Sequence, residues 1–545
     1  MESRDGKKRL VQEIASDYFA YMGRYFPQQC ASDEFYFFPR AEAAGHQRGL
    51  LEDLTPEKIQ DHLNYVKGLL GEISLRDAVG LEYEINCRLL EQSMRTFLRE
   101  YGTAEVWRHD PTLYVKVPLF AAARILQDNS GTVSRIKVDL FRLLSQIPPF
   151  LVRAAESLAL PSLTSLSVAG DMVRDAIDFF RDSIPAFIIR TMENGDELAE
   201  KNMDVLAAWD RYGKELQRLP YRKSFAVGRE ALEEILAVNL GCLKSPEEIV
   251  ENAGQGFRRT EAKLKALARK IDGAKTWTTL IQEQRRPIVS DSDLLRLFED
   301  EVQNLRRFFQ NRDIITFPPG ERVFVTQTPS YLRSIRATAS YSAPLIGDSR
   351  SPGIFYLTPG KEDLPLIAIH CPYLSAHETY PGHHLLDHIR LHQSDPIRRQ
   401  IELPLFYEGW ACYAEQLLDD LGYIHEPRRQ LVGLKRQLWR CVRAELDVAL
   451  QTGRMTLTQA SEKIQALGFS PQRAGRQALR FALTPGYQLC YHLGNHEIAT
   501  LRRALSPRLG TKRFHDMLLY GGQLPFHLLE RRLRKKSGGA GSQNA

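Results

Sequence analysis

The sequence predicts a mainly α-helical protein with one small antiparallel β-sheet. From about residue 11 to residue 271, apolar residues recur at the spacing of one helix face. Short β-rich runs broken by proline and glycine follow, up to about residue 357. Six of the fourteen histidines then fall between His370 and His392. A hydrophobic core has no need for so many imidazoles, so this segment is the first candidate for a functional site.

The long helical region, residues 1–310, is predicted to be scaffold that forms one wall of a cleft. Two of its helix starts place an N-cap residue before a proline, at Thr55-Pro56 and at Ser245-Pro246. Its predicted helices span residues 51–70, 74–101, 119–128, 163–192, 196–217 and 229–240. Later in the chain, helices are predicted at 431–451 and 458–467.

The predicted sheet consists of the runs 322–327, 334–341 and 353–357, which are rich in β-branched and aromatic residues. It lies directly before the histidine segment in the chain. Tyr341 and Arg350 could reach a neighbouring cleft from these runs, although exposure in loops is the favoured explanation for both.

Composition excludes several classes of function. The chain carries 73 basic and 67 acidic residues, and a net charge of +6 over 545 residues makes no case for nucleic-acid binding. No uncharged apolar run approaches the roughly 20 residues of a membrane span, and no secretory signal is expected. The seven cysteines are scattered without a C-x-x-C pair. They predict reduced thiols in a cytoplasmic protein.

The histidine segment contains the pattern H-E-x-x-P-G-H-H, from His377 to His384. In the zinc-hydrolase pattern H-E-x-x-H, two imidazoles one turn apart hold the metal, and the glutamate takes a proton from water. Here two extra residues intervene, so neither His383 nor His384 would share a metal with His377 on an ideal helix. Pro381-Gly382 predicts a bulge that removes this conflict. Which of the two histidines binds stays open, and a helix stop with surface histidines is the simpler alternative.

A second helix is predicted to supply the third ligand. Glu408 and Glu415 are seven residues apart and therefore share one helix face, which is otherwise apolar. Glu408 follows His383 by 25 residues, which leaves room for a turn near 394–396 and an antiparallel return.

Together, H-E-x-x-P-G-H-H and E-G-W-A-x-Y-x-E resemble the motifs of the gluzincin peptidases of the MA clan. The closer resemblance is to a bacterial family known only as a domain of unknown function, and a more distant one is to the thimet-type oligopeptidases. Residues 224–229 and the stretch with Pro485, Gly486, Tyr491 and Gly494 also look like family landmarks. One departure is Gln451, where the family pattern has histidine, and this puts any substrate contact there in doubt.

The resemblance implies a large helical zincin-like metallopeptidase fold with a deep cleft beside the sheet. A catalytic region at 311–535 would contain the sheet, the metal helices and a tyrosine-rich segment, followed by a disordered tail at 536–545. An edge strand of the sheet could bind extended substrate, by analogy with those peptidases.

The resemblance also implies a site with one Zn²⁺ per chain. Its metal ligands would be His377, His383 and Glu408, and Glu415 and His384 would lie behind them. Glu378 would act as general base, and Tyr491, together with Tyr487, would stabilise the oxyanion.

The expected function is therefore that of a zinc-dependent metallopeptidase acting on peptides. One alternative is a zinc hydrolase of a small non-peptide amide or other C–N bond, and another is an inactive binding protein that retains the fold. His492 and His496, spaced i and i+4, are a competing metal pair. The sequence does not indicate the substrate, the native metal, endo- or exo-cleavage, or the oligomeric state.

Overall fold

The computed structural model describes residues 10–74, 80–127, 132–192, 195–284, 290–329, 332–333, 336–344, 352–358 and 364–538. Contacts divide the chain into two compact units. The first comprises residues 1–223, 345–348 and 394–402, and the second comprises 224–344, 349–393 and 403–545. The predicted assignment of scaffold, catalytic region and tail concerns function and stays a prediction.

Among its described residues, the first unit is built mainly from helices. Its helices are α1 (Val11–Tyr25), α2 (Pro27–Ala31), α3 (Pro56–Glu72), α4 (Leu81–Leu98), α5 (Val106–His109), α6 (Leu113–Leu126), α7 (Val133–Ser157), α8 (Leu163–Asp178), α9 (Ile184–Thr191) and α10 (Asp196–Arg218). It also contains a 3₁₀ turn at Glu42–His46 and π-helical turns at Arg99–Thr103 and Phe179–Ser183. The π turn at Phe179–Ser183 divides the helix predicted at 163–192.

The second unit continues with α11 (Arg229–Glu234), α12 (Pro246–Ile271), α13 (Trp277–Gln282), α14 (Asp291–Arg312), α15 (Leu364–Ile369), α16 (Cys371–Glu378) and α17 (His383–Leu391). After α18 (Pro396–Gln400), which belongs to the first unit, follow α19 (Pro404–Asp420), α20 (Pro427–Gln451), α21 (Leu457–Gln465), α22 (Pro471–Leu483), α23 (Cys490–Leu509), α24 (Thr511–Leu519) and α25 (Phe526–Gly538). Residues 539–545 of the predicted tail lie outside the described residues.

The two predicted N-caps precede helices as expected. α3 begins at Pro56, and α12 begins at Pro246. At α12 the Ser245 hydroxyl accepts the Glu248 N–H, and the Glu248 carboxylate accepts the Ser245 N–H at 2.7 Å. This reciprocal pair satisfies two backbone donors that the first turn of a helix leaves unpaired.

The sheet has three strands, β1 (Val323–Gln327), β2 (Ala339–Ser342) and β3 (Gly353–Leu357), in the order β1-β3-β2. β2 and β3 are antiparallel, but β1 and β3 are parallel. The prediction of an antiparallel sheet is therefore wrong for one of the two pairings. The reason is that β3 inserts between β1 and β2, and a parallel pairing formed by a crossover leaves no local sequence signal.

Helices α19 and α23 approach each other closely at two glycines. A Cβ on Gly494 would lie 2.1 Å from the carbonyl oxygen of Leu405, and a Cβ on Gly409 would lie 2.5 Å from the backbone of Gly494. Any side chain at either position would force the helices apart. In the described part of the chain, no helix combines the length and the apolar character that crossing a bilayer requires.

Candidate metal centre

The helix that carries the histidines is interrupted between Glu378 and His383. The Gly382 N–H bonds to the Ala376 carbonyl at 2.9 Å, and the Leu385 N–H bonds to the Thr379 carbonyl at 3.3 Å. Each bond spans six residues instead of the four of an α-helix, so two additional residues are accommodated. The predicted bulge is therefore confirmed.

Two contacts hold the bulge in shape. A Cβ on Gly382 would lie 1.9 Å from the carbonyl oxygen of His377, so only glycine fits there. The indole N–H of Trp410 donates to the Pro381 carbonyl at 2.8 Å, which links the bulge to α19. The Pro-Gly pair of the first motif and Trp410 of the second thus meet at the bulge.

The bulge brings His383, rather than His384, to His377. Nε2 of His377 lies 3.4 Å from Oε2 of Glu408, and Nε2 of His383 lies 3.6 Å from the same oxygen. Ligand atoms of the three residues all lie within 4.8 Å of one another, and the residues are buried. Among the described residues, Oε2 of Glu408 has no hydrogen-bond partner. The three predicted metal ligands therefore converge.

His384 lies against the sheet. Its Nδ1 is 3.3 Å from the hydroxyl of Tyr341 on β2, and burial lowers the pKa of His384 to about 3. Gly353 on β3 permits this contact, because a Cβ there would lie 2.6 Å from the Tyr341 hydroxyl. Tyr341 is buried, so the explanation by loop exposure is wrong for this residue. Arg350 lies outside the described residues.

Glu415 lies on α19, seven residues after Glu408. It contacts Nδ1 of His377, whereas Glu408 contacts Nε2 of the same ring. One oxygen of Glu415 is 2.9 Å from Nδ1 of His377, and Arg436 binds the carboxylate with two nitrogens at 2.6 and 2.7 Å. Arg440 also contacts it. Burial opposes ionisation, but the two guanidinium groups outweigh it and hold the pKa of Glu415 well below its usual range. The sequence predicted Glu415, but it did not predict the two arginines on α20.

The His383 ring stacks on Tyr407, with 4.0 Å between ring centroids and 17° between planes. The Tyr407 hydroxyl donates to Asp387 at 2.8 Å, and Asp387 pairs with Arg390. Sequence reasoning assigned no role to Tyr407, although its position next to Glu408 was a usable signal. This stack fixes the orientation of the second imidazole.

Glu378 is buried next to His377. Burial raises the pKa of Glu378, while the charges of His377 and His383 oppose that rise. In the described part of the chain, no side chain donates a hydrogen bond to this carboxylate. Glu378 is thus a carboxylate with enhanced basicity beside the candidate metal ligands.

The two predicted tyrosines both reach the site, but in different ways. The Tyr487 hydroxyl donates to Oε1 of Glu408 at 2.6 Å. The Tyr491 ring lies parallel to the His377 ring at 6.3 Å, and the Arg443 guanidinium stands 3.5 Å over its centre. Asp447 accepts three backbone N–H bonds, from Gly486, Gln488 and Leu489, and so anchors the segment.

Residues 40–533 match a family model described as "Bacterial protein of unknown function (DUF885)". The chain belongs to this DUF885 family. Among curated proteins, no match was found.

Solved structures of two bacterial proteins share the fold. "The crystal structure of the putative lipoprotein from Colwellia psychrerythraea" aligns with a TM-score of 0.81 and 21% identity, over 97% of this chain and 99% of that one. A second protein, from Shewanella oneidensis, is described as "a putative lipoprotein of unknown function". It aligns with a TM-score of 0.77 and 18% identity, over 96% of this chain and 99% of that one.

In this DUF885 protein, Gln451 is a buried structural residue. Its side-chain amide donates to the carbonyls of Phe481 and Ala482 at 3.0 and 3.2 Å, and its backbone carbonyl accepts the Gly228 N–H at 2.9 Å. Gln451 therefore joins the end of α20 to α22 and to the segment before α11.

The competing pair His492 and His496 is engaged elsewhere. Both rings contact the side-chain amide of Asn252, at 2.9 and 3.1 Å. Within the described residues, only His377, His383 and Glu408 form a group of three suitable ligands.

Proposed function

We propose that this DUF885 protein is a zinc-dependent hydrolase, and specifically a metallopeptidase that cleaves peptide bonds. The observation that carries the proposal is the convergence of two imidazole nitrogens on one buried oxygen of Glu408 that has no hydrogen-bond partner among the described residues. The motif resemblance to gluzincin peptidases favours a peptide over other amides as the substrate.

The donor set fits zinc. Two neutral imidazoles and one carboxylate are a common ligand set of catalytic zinc. Tetrahedral coordination at about 2.1 Å places neighbouring donor atoms about 3.4 Å apart. The observed separations of 3.4 and 3.6 Å between the nitrogens and Glu408 Oε2 are close to that value. A bound cation would also offset the desolvation cost of burying the Glu408 carboxylate.

Zinc bound by His377, His383 and Glu408 would supply Lewis-acid activation of water near neutral pH. Glu378 would accept the proton of the attacking water and deliver it to the leaving nitrogen. The Glu415 carboxylate would hold Nδ1–H of His377, which leaves Nε2 of the same ring unprotonated and directed to the site.

The tyrosines have separate roles in this mechanism. Tyr487 donates to Glu408 and would position that carboxylate. Tyr491 lies beside His377, and its hydroxyl would donate to the oxyanion that forms on the substrate carbonyl. The Arg443 guanidinium over the Tyr491 ring holds the ring in place and makes its hydroxyl a better donor.

The test is metal content, measured by elemental analysis of protein purified without chelator. We expect about one zinc per chain in the wild type and in Glu378→Gln, and loss of zinc in His377→Ala and Glu408→Ala. His392→Ala, which removes an exposed histidine of the same cluster, is the matched control and should retain zinc. A folded wild type that takes up no zinc, even when zinc is supplied, would contradict the proposal.

Hydrolytic activity is then measured with a panel of peptides of different lengths and with small amides. Glu378→Gln should retain zinc but lose about 10²- to 10⁴-fold in rate. If the protein hydrolyses small amides but not peptides, the proposed metal site would stand and the proposed substrate would change to a small amide. Zinc binding with no hydrolysis of either class would favour a binding protein.

A further inference from the structure

A cavity of about 750 Å³ lies in the second unit among α12, α19, α20 and α23. Its volume is within the range of roughly 300–1,000 Å³ that small-molecule sites occupy. His377, His383 and Glu408 do not line it. Arg440 does, and Arg440 contacts Glu415, which in turn contacts His377. Glu415 therefore stands between this cavity and the candidate metal centre.

The lining is strongly basic. Its only acidic side chain is Asp420. Its five cationic side chains are Arg259, Lys263, Arg440, Arg502 and Arg503. Asp420 pairs with Arg502 at 2.6 Å, and Arg440 pairs with Glu415, which it shares with Arg436.

Three positive charges remain without a carboxylate. Among the described residues, Arg259 and Lys263 form no ion pair, and Arg503 donates to the Thr500 hydroxyl at 3.1 Å. All three are exposed at the cavity, so each can turn its charge toward an occupant. A concave surface with one sign of charge concentrates the opposite ion.

Polar groups deeper in the cavity can complete an anion site. The side chains of Thr260 and Asn495 both line it. His492 also lines the cavity, and burial, His496 and the charges of Arg259 and Arg440 lower the pKa of His492 to about 4. Nearby guanidinium groups thus already disfavour a further positive charge here, as expected of a site that attracts anions.

A cysteine nucleophile is the alternative for this cavity. Cys441 Sγ lies 3.4 Å from Nδ1 of His492, and Asn252 binds the other nitrogen of that ring. Burial raises the pKa of the Cys441 thiol to about 12. A thiol and an imidazole that both stay neutral do not form the thiolate that such chemistry needs.

We propose that this cavity binds a small anionic molecule that carries phosphate or carboxylate groups, at a site distinct from the metal centre. Arg259 and Lys263 recognise the anionic groups at the opening. The cavity is several times larger than a single phosphate, so the natural ligand has an organic body as well. The proposal does not depend on the hydrolase activity.

The test is calorimetric titration of the full chain with inorganic phosphate and, separately, with citrate at low ionic strength. Wild type, the double variant Arg259→Ala/Lys263→Ala and the control Arg258→Ala are compared. Arg258 is exposed on the same helix but does not line the cavity. We expect one saturable site per chain, weakened at least tenfold in the double variant, unchanged in the control and weakened by salt. Tighter binding of citrate would assign a carboxylate ligand, and tighter binding of phosphate a phosphorylated one.

A repeat titration after removal of metal with 1,10-phenanthroline, a neutral chelator, separates this site from the metal centre. Binding should persist. Loss of binding on chelation would place the anion on the metal and overturn the proposal. Equal affinity in all three proteins, or no saturable binding of either probe to the wild type, would also overturn it, whatever the outcome for zinc.

Discussion

One carboxylate oxygen of Glu415 lies 2.9 Å from Nδ1 of His377. Two nitrogens of Arg436 donate to the same carboxylate. This bidentate contact restrains the Glu415 carboxylate from rotating away from the imidazole. With zinc bound, an acceptor at this position would favour the ring tautomer in which Nδ1 carries the proton. The lone pair of Nε2 would then be available to the metal.

The first prediction concerns Glu415→Gln. The amide has the shape of the carboxylate but lacks its charge, so it orients His377 less firmly and leaves two arginines without their counter-ion. We expect zinc affinity to fall by about 10- to 100-fold, as measured by competition with a chromophoric chelator. The control is Glu445→Gln on α20, which removes a half-exposed carboxylate paired with Lys463. Equal zinc affinity in wild type and Glu415→Gln would show that this contact does not support the metal site.

The second prediction separates the two tyrosines. Tyr487→Phe removes a 2.6 Å hydrogen bond to Glu408, so it should weaken zinc binding severalfold. Tyr491→Phe keeps the ring beside His377 and under Arg443, so it should retain zinc but lower kcat by about 10²-fold, with little change in KM. Zinc titration and steady-state kinetics on both variants provide the readout. A kcat loss confined to Tyr487→Phe would reverse the two assignments.

Local patterns predicted the residues of the site because each motif is short and lies on one or two helices. His377, a second histidine at position 383 or 384, and Glu408 follow from residue type, spacing and the bulge at Pro381-Gly382. The choice between His383 and His384 did not follow, because it depends on hydrogen bonds that span six residues around the bulge.

Long-range partners could not be predicted. Arg436 lies 21 residues after Glu415, and nothing in the pattern of α20 distinguishes it from the other arginines of that helix. The parallel pairing of β1 with β3 could not be predicted for the same reason. The strand runs were visible in the sequence, but their order depends on how the chain between them crosses the sheet.

The third prediction concerns the crossing of α19 and α23, which carry Glu408 and Tyr491. Gly494→Ala would place a methyl group 2.1 Å from the Leu405 carbonyl oxygen, and backbone atoms cannot yield as a flexible side chain can. We expect the free energy of unfolding to fall by about 3 kcal/mol, as measured by urea denaturation.

The matched control for this crossing is Gly475→Ala within α22. A Cβ there meets no atom within 4 Å, so the change should stabilise the protein by about 1 kcal/mol through helix propensity alone. If both substitutions had the same effect, the close approach of the two helices would not be a constraint on stability.

The fourth prediction is a pH dependence caused by His515 on α24. This buried ring contacts the Tyr413 hydroxyl through Nε2 at 2.8 Å and the Ile314 carbonyl through Nδ1 at 2.9 Å. Nδ1–H donates to the carbonyl and Nε2 accepts from the hydroxyl, so a second ring proton would require the Tyr413 hydroxyl to change from donor to acceptor. Burial lowers the pKa of His515 to about 4, whereas an unfolded histidine has a pKa of about 6.5.

Between about pH 6.5 and pH 4 the unfolded chain therefore binds a proton that folded His515 does not. Stability from this group is fully present above pH 6.5 and is lost as the pH falls through that window, by about 2 kcal/mol between pH 7 and pH 4.5. His515→Gln removes the titration, so the stability difference between wild type and variant, measured by urea denaturation, should shrink by that amount over the same range. Taking the difference cancels the other titrating groups that the two proteins share. A difference for His515→Gln that stays constant with pH would mean that His515 takes up its proton in the folded protein as readily as in the unfolded chain.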